Sequence, residues 1–288
     1  MLANAPRGAT VADLWETYRK DLGDKPTAKT MGYTGKAVLE HFGAYTPDQI
    51  TKGLCQEYAE KREAAGISQG SVWTELGHLR SAMRFAEDIR AIQRAPKIWR
   101  PEKPQTDKRI LNRGEARALL EGAGDPHIRL AIALLLGTAG RLGAVLDLTW
   151  DRVNFDAGTI NLRLEDAATR KGRAVLPMNA TTRPALLAAQ EAAMTDHVIE
   201  YAGHRVKSIR TGFVNAVKRS GIGHVRIHDL RHTAAVTMLS QGVPLEKVSQ
   251  VLGHSNTAVT FSTYARFLPQ HMQDAVDVLD FASLRKGA

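Results

Sequence analysis

The sequence predicts a mainly α protein with a small antiparallel β-sheet: a helical domain over residues 1–95, a linker over 96–108 and an α+β domain over 109–288. Three observations predict it. Apolar residues recur at helical spacing through the first ninety-odd residues. Residues 96–108 then hold three prolines (Pro96, Pro101, Pro104) and four cations (Lys97, Arg100, Lys103, Lys108), and prolines remove backbone donors and disfavour helix in the residue before them. Beyond that run, helical patterns are interrupted by two short stretches of period two.

In the first domain, Thr46-Pro47-Asp48-Gln49 reads as a helix start. Thr46 is the cap, Pro47 suits the first helical position and Gln49 completes a capping box. Gly66 closes the helix that follows. From about residue 70 to 92, Val72, Leu76, Leu79, Met83 and Ala86 make one apolar face, and His78, Arg80, Arg84 and Arg90 fall largely off it. Periodicity alone makes those cations the solvated side of a helix.

In the second domain a helix begins near Asn112, and Leu130–Leu136 is an almost unbroken apolar stretch, most simply a buried helix. Thr159–Leu164 alternates with period two, and Arg173–Leu176 does so more weakly, so both are expected strands around a hairpin loop at 165–172. Helices resume near Thr182. The segment 201–231 carries seven Lys/Arg (Arg205, Lys207, Arg210, Lys218, Arg219, Arg226, Arg231) against Asp229, the strongest local basic excess in the chain.

Composition narrows the class. With 288 residues, 43% hydrophobic and 24% charged, the chain can bury a sizeable core, and disordered and fibrous classes are excluded. The excess of 39 Lys+Arg over 30 Asp+Glu, formally +9, favours a polyanionic partner. Cys55 is the single cysteine, which excludes an internal disulfide and multi-cysteine zinc or iron–sulfur sites. No apolar run approaches the ~18 residues of a membrane span, and the N-terminus lacks the pattern of a secretory signal. A cytoplasmic protein is expected.

Three motifs can carry chemistry. Gly137-Thr138-Ala139-Gly140-Arg141 is a small-residue turn that places an arginine after the buried helix. His228-Asp229-Leu230-Arg231-His232-Thr233 puts His228 and Arg231 at i and i+3, on one face of a helix starting near His228. Leu252-Gly253-His254 is followed ten residues later by Tyr264, expected at the start of another helix. A guanidinium fork suits two phosphate oxygens, an imidazole can donate a hydrogen bond or move a proton, and a phenol can serve as nucleophile and later as leaving group. Taken singly, each is more often a surface charge or a packing residue. The signal is their conjunction and order.

A metal reading uses some of the same residues. His228 and His232 sit at i and i+4, with His254 as a third ligand. Against it, Asp229 stands where metalloproteases of that spacing carry glutamate, and no acid cluster suited to magnesium is apparent.

The order Thr138-Ala139-Gly140-Arg141, a basic hairpin, His228-Asp229-Leu230-Arg231-His232-Thr233, Leu252-Gly253-His254 and Tyr264 closely resembles the tyrosine recombinases, also called phage integrases. The resemblance extends over nearly the whole chain. It implies a helical core-binding domain followed by an α+β catalytic domain. Arg141 and Arg231 would grip the non-bridging oxygens of a scissile phosphate, and His228 and His254 would add hydrogen bonds and help move protons. Tyr264 would attack phosphorus, giving a 3′-phosphotyrosyl link and a free 5′-hydroxyl. The hairpin lysine that protonates the leaving oxygen falls on Lys171, with Arg170 beside it. No metal or other cofactor is implied, because fixed cations and donors meet the charge that builds on the phosphoryl oxygens.

The resemblance further implies double-stranded DNA as partner, a tetramer acting through a Holliday junction, and room for an accessory DNA-bending or directionality factor at the nucleoid. Cations of the N-terminal helices, the linker and the 201–231 segment would form two walls of a clamp, with Arg80, Arg84, Lys97, Arg100 and Arg210 as candidate phosphate contacts. The tail at 268–288, with Met272, Ala275, Val276, Val278, Leu279 and Phe281 on one face, would pack on a neighbouring protomer. One departure stands out: Ala144 occupies the position, three after Arg141, where many relatives carry an acid that orients the active-site arginine. The expected role is integrase of a phage or mobile element. Helical pattern begins within about ten residues of Met1, which leaves no room for a separate arm-binding domain and keeps a Xer-like resolvase role open. A non-catalytic DNA-binding protein of the same fold and a type IB topoisomerase-like enzyme are the alternatives.

Overall fold

A computed structural model describes residues 8–104, 108–163, 175–254, 256–267 and 276. The chain divides into two units, Met1–Thr106 and Asp107–Ala288.

The first unit is helical. Helix α1 (Val11–Asp21) starts at a capping box: the Thr10 hydroxyl accepts from the Asp13 amide, and the Asp13 carboxylate accepts from the Thr10 amide and hydroxyl. Helix α2 (Pro26–Phe42) has proline at its first position. The Thr46–Gln49 box forms, but it opens only the single 3₁₀ turn Pro47–Gln49. The long helix α3 (Lys52–Ala64) begins under its own cap, Thr51, whose hydroxyl accepts from the Leu54 amide. Helix α4 (Gln69–Asp88), capped by Ser68, packs on α1, α2 and α3. Its Val72, Leu76, Leu79, Met83 and Ala86 are all buried, with Trp15, Met31, Val38, Phe42 and Tyr58 around them. Gly35 makes room for the Trp15 indole, since a Cβ there would stand 3.0 Å from its Nε1.

Residues 96–104, expected as part of a linker, lie on the first unit instead. Ile98 is buried in its core, the Arg100 guanidinium stands 4.2 Å from the centre of the Trp73 ring, and Lys103 Nζ stands 5.5 Å from it. Cation–π attraction and one buried aliphatic side chain hold what proline content alone marks as a spacer.

The second unit surrounds its own core with helices α5 (Arg113–Gly122), α6 (Pro126–Thr138), α7 (Leu142–Leu146), α8 (Thr182–Glu191), α9 (Arg210–Ser220), α10 (Ile227–Ser240), α11 (Leu245–Leu252) and α12 (Thr257–Tyr264). Asn112 caps α5 in a reciprocal box with Glu115. Helix α6 is apolar almost all round and packs on α5, α8 and α10, with Ile128, Ala131, Ile132, Leu134 and Leu135 buried. A three-stranded antiparallel sheet, β1 (Val153–Asn154), β2 (Thr159–Asn161) and β3 (Val175–Pro177), pairs Val153 with Ile160 and Ile160 with Leu176. A second hairpin, β4 (Glu200–Tyr201) and β5 (His204–Arg205), turns through Ala202 and Gly203. The hairpin loop expected at 165–172 and most of the tail at 268–288 lie outside the described residues; Val276 is exposed.

Glu75 lies on the buried face of α4 and is 5% exposed. Its carboxylate accepts from the Tyr58 hydroxyl (2.8 Å) and from Arg62 Nε (3.0 Å) and Nη2 (2.6 Å). Arg62→Met leaves that charge on Tyr58 alone, and breaking such a pair costs about 3 kcal/mol. Urea unfolding is expected to show the first unit destabilised by that amount; an unchanged midpoint would show that Arg62 does not hold the charge.

Candidate active site

The site is organised on the first turns of α10. Although burial opposes it, hydrogen bonds from the Arg226 amide and guanidinium (2.9–3.0 Å) hold the Asp229 carboxyl below its ordinary range and fix where the helix starts. His228 is exposed on this turn, and its ring meets that of His232 edge-on at 4.7 Å.

Arg231 follows, 4% exposed. Its Nη1 donates to the Ala139 carbonyl (2.6 Å), and its Nη2 donates to the Leu252 carbonyl (2.7 Å) and to His254 Nε2 (3.1 Å). Ala139 ends α6 in the left-handed conformation (φ 52°) and Leu252 is the last residue of α11. The cation therefore faces the carbonyl ends of two helices, where the helix dipole favours positive charge. Burial first, and then the charge of Arg141, lowers its pKa to about 10, so it stays charged at neutral pH. An arginine has five N–H donors, and among the described residues these contacts engage three of them. The others remain for an anion.

His254 is positioned by the end of α11. Gly253 takes the left-handed conformation (φ 60°), and the His254 amide returns to the Ser249 carbonyl at 3.0 Å. Since Arg231 can only donate, His254 Nε2 must accept. Nδ1 then carries the proton and donates to Thr260 Oγ1 at 2.7 Å. Burial, followed by Arg231 and Arg141, lowers the His254 pKa to about 4, which keeps the ring neutral and in that tautomer. The same two causes in the same order, burial and then Arg231, lower His228.

Tyr264 is the last residue of α12. The sequence expectation placed it at a helix start. The Asn256 side chain instead caps the helix at Ala258 (2.8 Å), so the tyrosine arrives two turns later. It is 1% exposed, and its hydroxyl lies 2.8 Å from His232 Nδ1. Lys108 Nζ donates to the Thr263 carbonyl (3.0 Å) and stands 5.4 Å from the Tyr264 ring centre. Burial pushes the phenol up to about 12 against a smaller pull from Arg231. In this state the hydroxyl is enclosed, and attack on a phosphate requires the enclosure to open.

Arg141 caps α7 in extended conformation, half-buried, within electrostatic reach of His228, Arg231 and His254. Ala144, in the position where many relatives of the resemblance carry an acid, is 3% exposed. The orientation a carboxylate would supply to Arg231 comes from two backbone carbonyls. Among the described residues, no group of three or more His, Cys, Asp or Glu is placed to hold a metal ion, and both His254 nitrogens are engaged. Lys171 and Arg170 lie outside the described residues. What stands together is two guanidiniums, two neutral histidines and a phenol: a set that can bind a phosphodiester, stabilise charge on its oxygens and attack its phosphorus.

The expected DNA contacts fall into two groups. On the first unit, Arg80 and Arg84 project from α4 near Arg100, whose pKa is lowered by burial and then by those two charges. Among the described residues none of the three forms an ion pair with a carboxylate. Lys97 is exposed nearby in sequence, and Arg210 is exposed at the start of α9 in the second unit.

Residues 109–271, more than half of the chain, match the model of the phage integrase family. The chain belongs to the phage integrase family. A XerC-like tyrosine recombinase from Caldanaerobacter subterraneus subsp. tengcongensis is 22% identical over 272 residues, spanning 78% of this chain and 69% of that protein. In fold this chain is similar to the Tn1549 transposon integrase in complex with transposon right-end DNA, with a TM-score of 0.76 at 19% identity, over 88% of this chain and 94% of that one. It is also similar to the lambda integrase of a tetramer bound to a Holliday junction, with a TM-score of 0.71 at 19% identity, over 86% and 78% of the two chains.

Three contacts escaped the sequence reading: His232 as partner of Tyr264, Thr260 as partner of His254, and Lys108 at the end of α12. His232 was visible inside its motif but read only as a metal ligand. Thr260 and Lys108 carry no local signal, because their partners are set by how α12 docks.

His232 and His254 are both held near pKa 4, below the ordinary 6.5, with burial the first cause in each. The unfolded chain therefore takes up protons near pH 6.5 that the folded state refuses until about 4. Stability contributed by the neutral rings is complete above 6.5 and is lost as pH falls. Thermal melting followed by circular dichroism is expected to show the second unit losing stability from pH 6.5 to 5, with a shallower slope in a His232→Asn/His254→Asn double variant. Equal slopes would contradict the assigned neutral rings.

Proposed function

We propose that the protein is a site-specific DNA recombinase that cuts and rejoins strands through Tyr264. The single observation that carries this reading is the Tyr264 hydroxyl, held 2.8 Å from His232 Nδ1 and within electrostatic reach of the buried Arg231 guanidinium: a nucleophile in the same site as a phosphate-binding cation. Arg141 and Arg231 bind the non-bridging oxygens, His228 adds a donor, and His254 holds the Arg231 guanidinium by accepting its hydrogen bond. Tyr264 Oη gives up its proton to solvent water once its enclosure opens and forms a bond to phosphorus as the bond from phosphorus to the 5′-oxygen breaks, and Lys171 delivers the proton that oxygen takes up. The ester keeps the bond energy, so a 5′-hydroxyl of a second strand can reverse the step without ATP.

Double-stranded DNA is the proposed partner, gripped through Arg80, Arg84, Arg100, Lys97 and Arg210. Four protomers acting through a Holliday junction are proposed on the likeness to lambda integrase, and the exchanged tail at 268–288 belongs to the same proposal. The role favoured is integration of phage or mobile DNA at the nucleoid. The XerC-like relative is the specific observation that favours a second reading, a Xer-like resolvase.

Covalent trapping on fragmented DNA of the source organism, with EDTA present and detergent denaturation, tests the reaction. Adducts are expected at a discrete repeated site, absent from Tyr264→Phe and formed about 10²–10³-fold more slowly by Arg141→Lys, the loss typical of one oxyanion-binding group. Scattered adducts would indicate a topoisomerase-like enzyme, and no adduct despite salt-sensitive binding would indicate a DNA-binding protein without the chemistry.

A further inference from the structure

Helix α10 carries a second histidine, a buried one, that the roles above leave unused. His232 is 9% exposed, its neighbour Tyr264 is 1% exposed, and Nδ1 lies 2.8 Å from the phenol oxygen. The rings meet at 63° with centres 5.6 Å apart, so imidazole and phenol touch through their polar atoms. His232 immediately follows Arg231 in a regular helix. The nucleophile is thereby tied to the same rigid turn that carries the phosphate-gripping guanidinium.

We propose that His232 is the positioning residue of the nucleophile: its Nδ1 accepts the Tyr264 hydroxyl hydrogen bond and sets the phenol oxygen relative to the phosphate held by Arg231. The inference rests on the recombinase reading above. With a phosphate bound by one residue of the turn and the phenol held by the next, their separation is set by α10 as well as by the docking of α12. An error of about 1 Å in such a placement costs on the order of 10²-fold in rate.

The alternative, proton transfer from Tyr264 to His232, fails on magnitude. Burial and then His228 and Lys108 hold His232 near 4, and burial holds Tyr264 near 12. A gap of that size opposes transfer by many orders of magnitude, so the contact is a neutral hydrogen bond. Charged and titratable groups facing the ring are His228, Asp229 and Arg231 on its own helix, Lys108 on the segment before α5, and Tyr264 on α12. None is a carboxylate near enough to lift the ring into the range of a base: Asp229 is the one acid, and its carboxylate is taken by Arg226.

Two substitutions separate the roles. His232→Asn places an amide oxygen near the position of Nδ1 and can accept a hydrogen bond but not a proton. His232→Leu fills the space and accepts nothing. The measurement is the rate of covalent adduct formation on a duplex carrying the recovered site, nicked so that the cleaved end diffuses away, from pH 6 to 8.5. Each variant is checked for its melting temperature and salt-sensitive DNA binding. The expected result is His232→Leu about 10²-fold slower, His232→Asn within about 5-fold of the wild type with the same pH profile. His232→Leu as fast as the wild type would overturn the positioning role while leaving recombination intact. His232→Asn as slow as His232→Leu, with an altered pH profile, would overturn it in favour of proton acceptance. A wild-type protein that forms no adduct on any DNA would remove the recombinase reading itself, and this inference with it.

Discussion

The buried guanidinium of Arg231 is the constraint on which the second unit is arranged. A cation taken out of water costs several kcal/mol even after relaxation. Hydrogen bonds from a charged donor return about 1.5–3 kcal/mol each, so the three made to Ala139, Leu252 and His254 roughly offset that cost. Those acceptors come from the end of α6, the end of α11 and the turn after it. One side chain therefore fixes where three segments stop. The left-handed residues Ala139 and Gly253 follow from the same demand, since each turns the chain so that a helix end can face the cation.

Electrostatics then divides the site into charged and neutral parts. Arg141 and Arg231 remain charged and repel one another, while burial and those charges hold His254 near pKa 4 and push His228 down from its ordinary value. The result is a pocket of positive charge beside uncharged polar groups, a state that an entering phosphate relieves. The phenol is the opposite case. Burial holds it protonated and its hydroxyl enclosed. In the proposed reaction the second unit binds the anion with charge it already carries, and the phenol attacks only once its enclosure opens.

Much of this was legible in the sequence, and the failures share a cause. The apolar stripe Val72, Leu76, Leu79, Met83 and Ala86, the Asn112 cap and the buried α6 are local patterns, and each forms as read. The motifs around Arg141, His228, Arg231 and His254 were legible because the order of residue types is itself a signature, and the structure brings those side chains together. What local pattern did not reveal depends on tertiary choice. The Thr46 box caps a single turn because Thr51 captures the longer helix. Residues 96–104 lie on the first unit because Trp73 offers a ring to Arg100. Tyr264 closes a helix because Asn256 starts one. The β4–β5 hairpin turns through Ala202-Gly203, which lacks the usual Asn-Gly or Asp-Gly signal.

The central claim is that the oxygen of Tyr264 is the atom that joins to DNA, next to a phosphate held by Arg231 and Arg141. Its most direct test is to digest the trapped protein–DNA adduct with protease and nuclease and read the linked peptide by mass spectrometry. The account predicts one modified peptide spanning Thr257–Tyr264, with a nucleotide attached to Tyr264 through its 3′-phosphate. Attachment at any other residue, or through a 5′-phosphate, would contradict it.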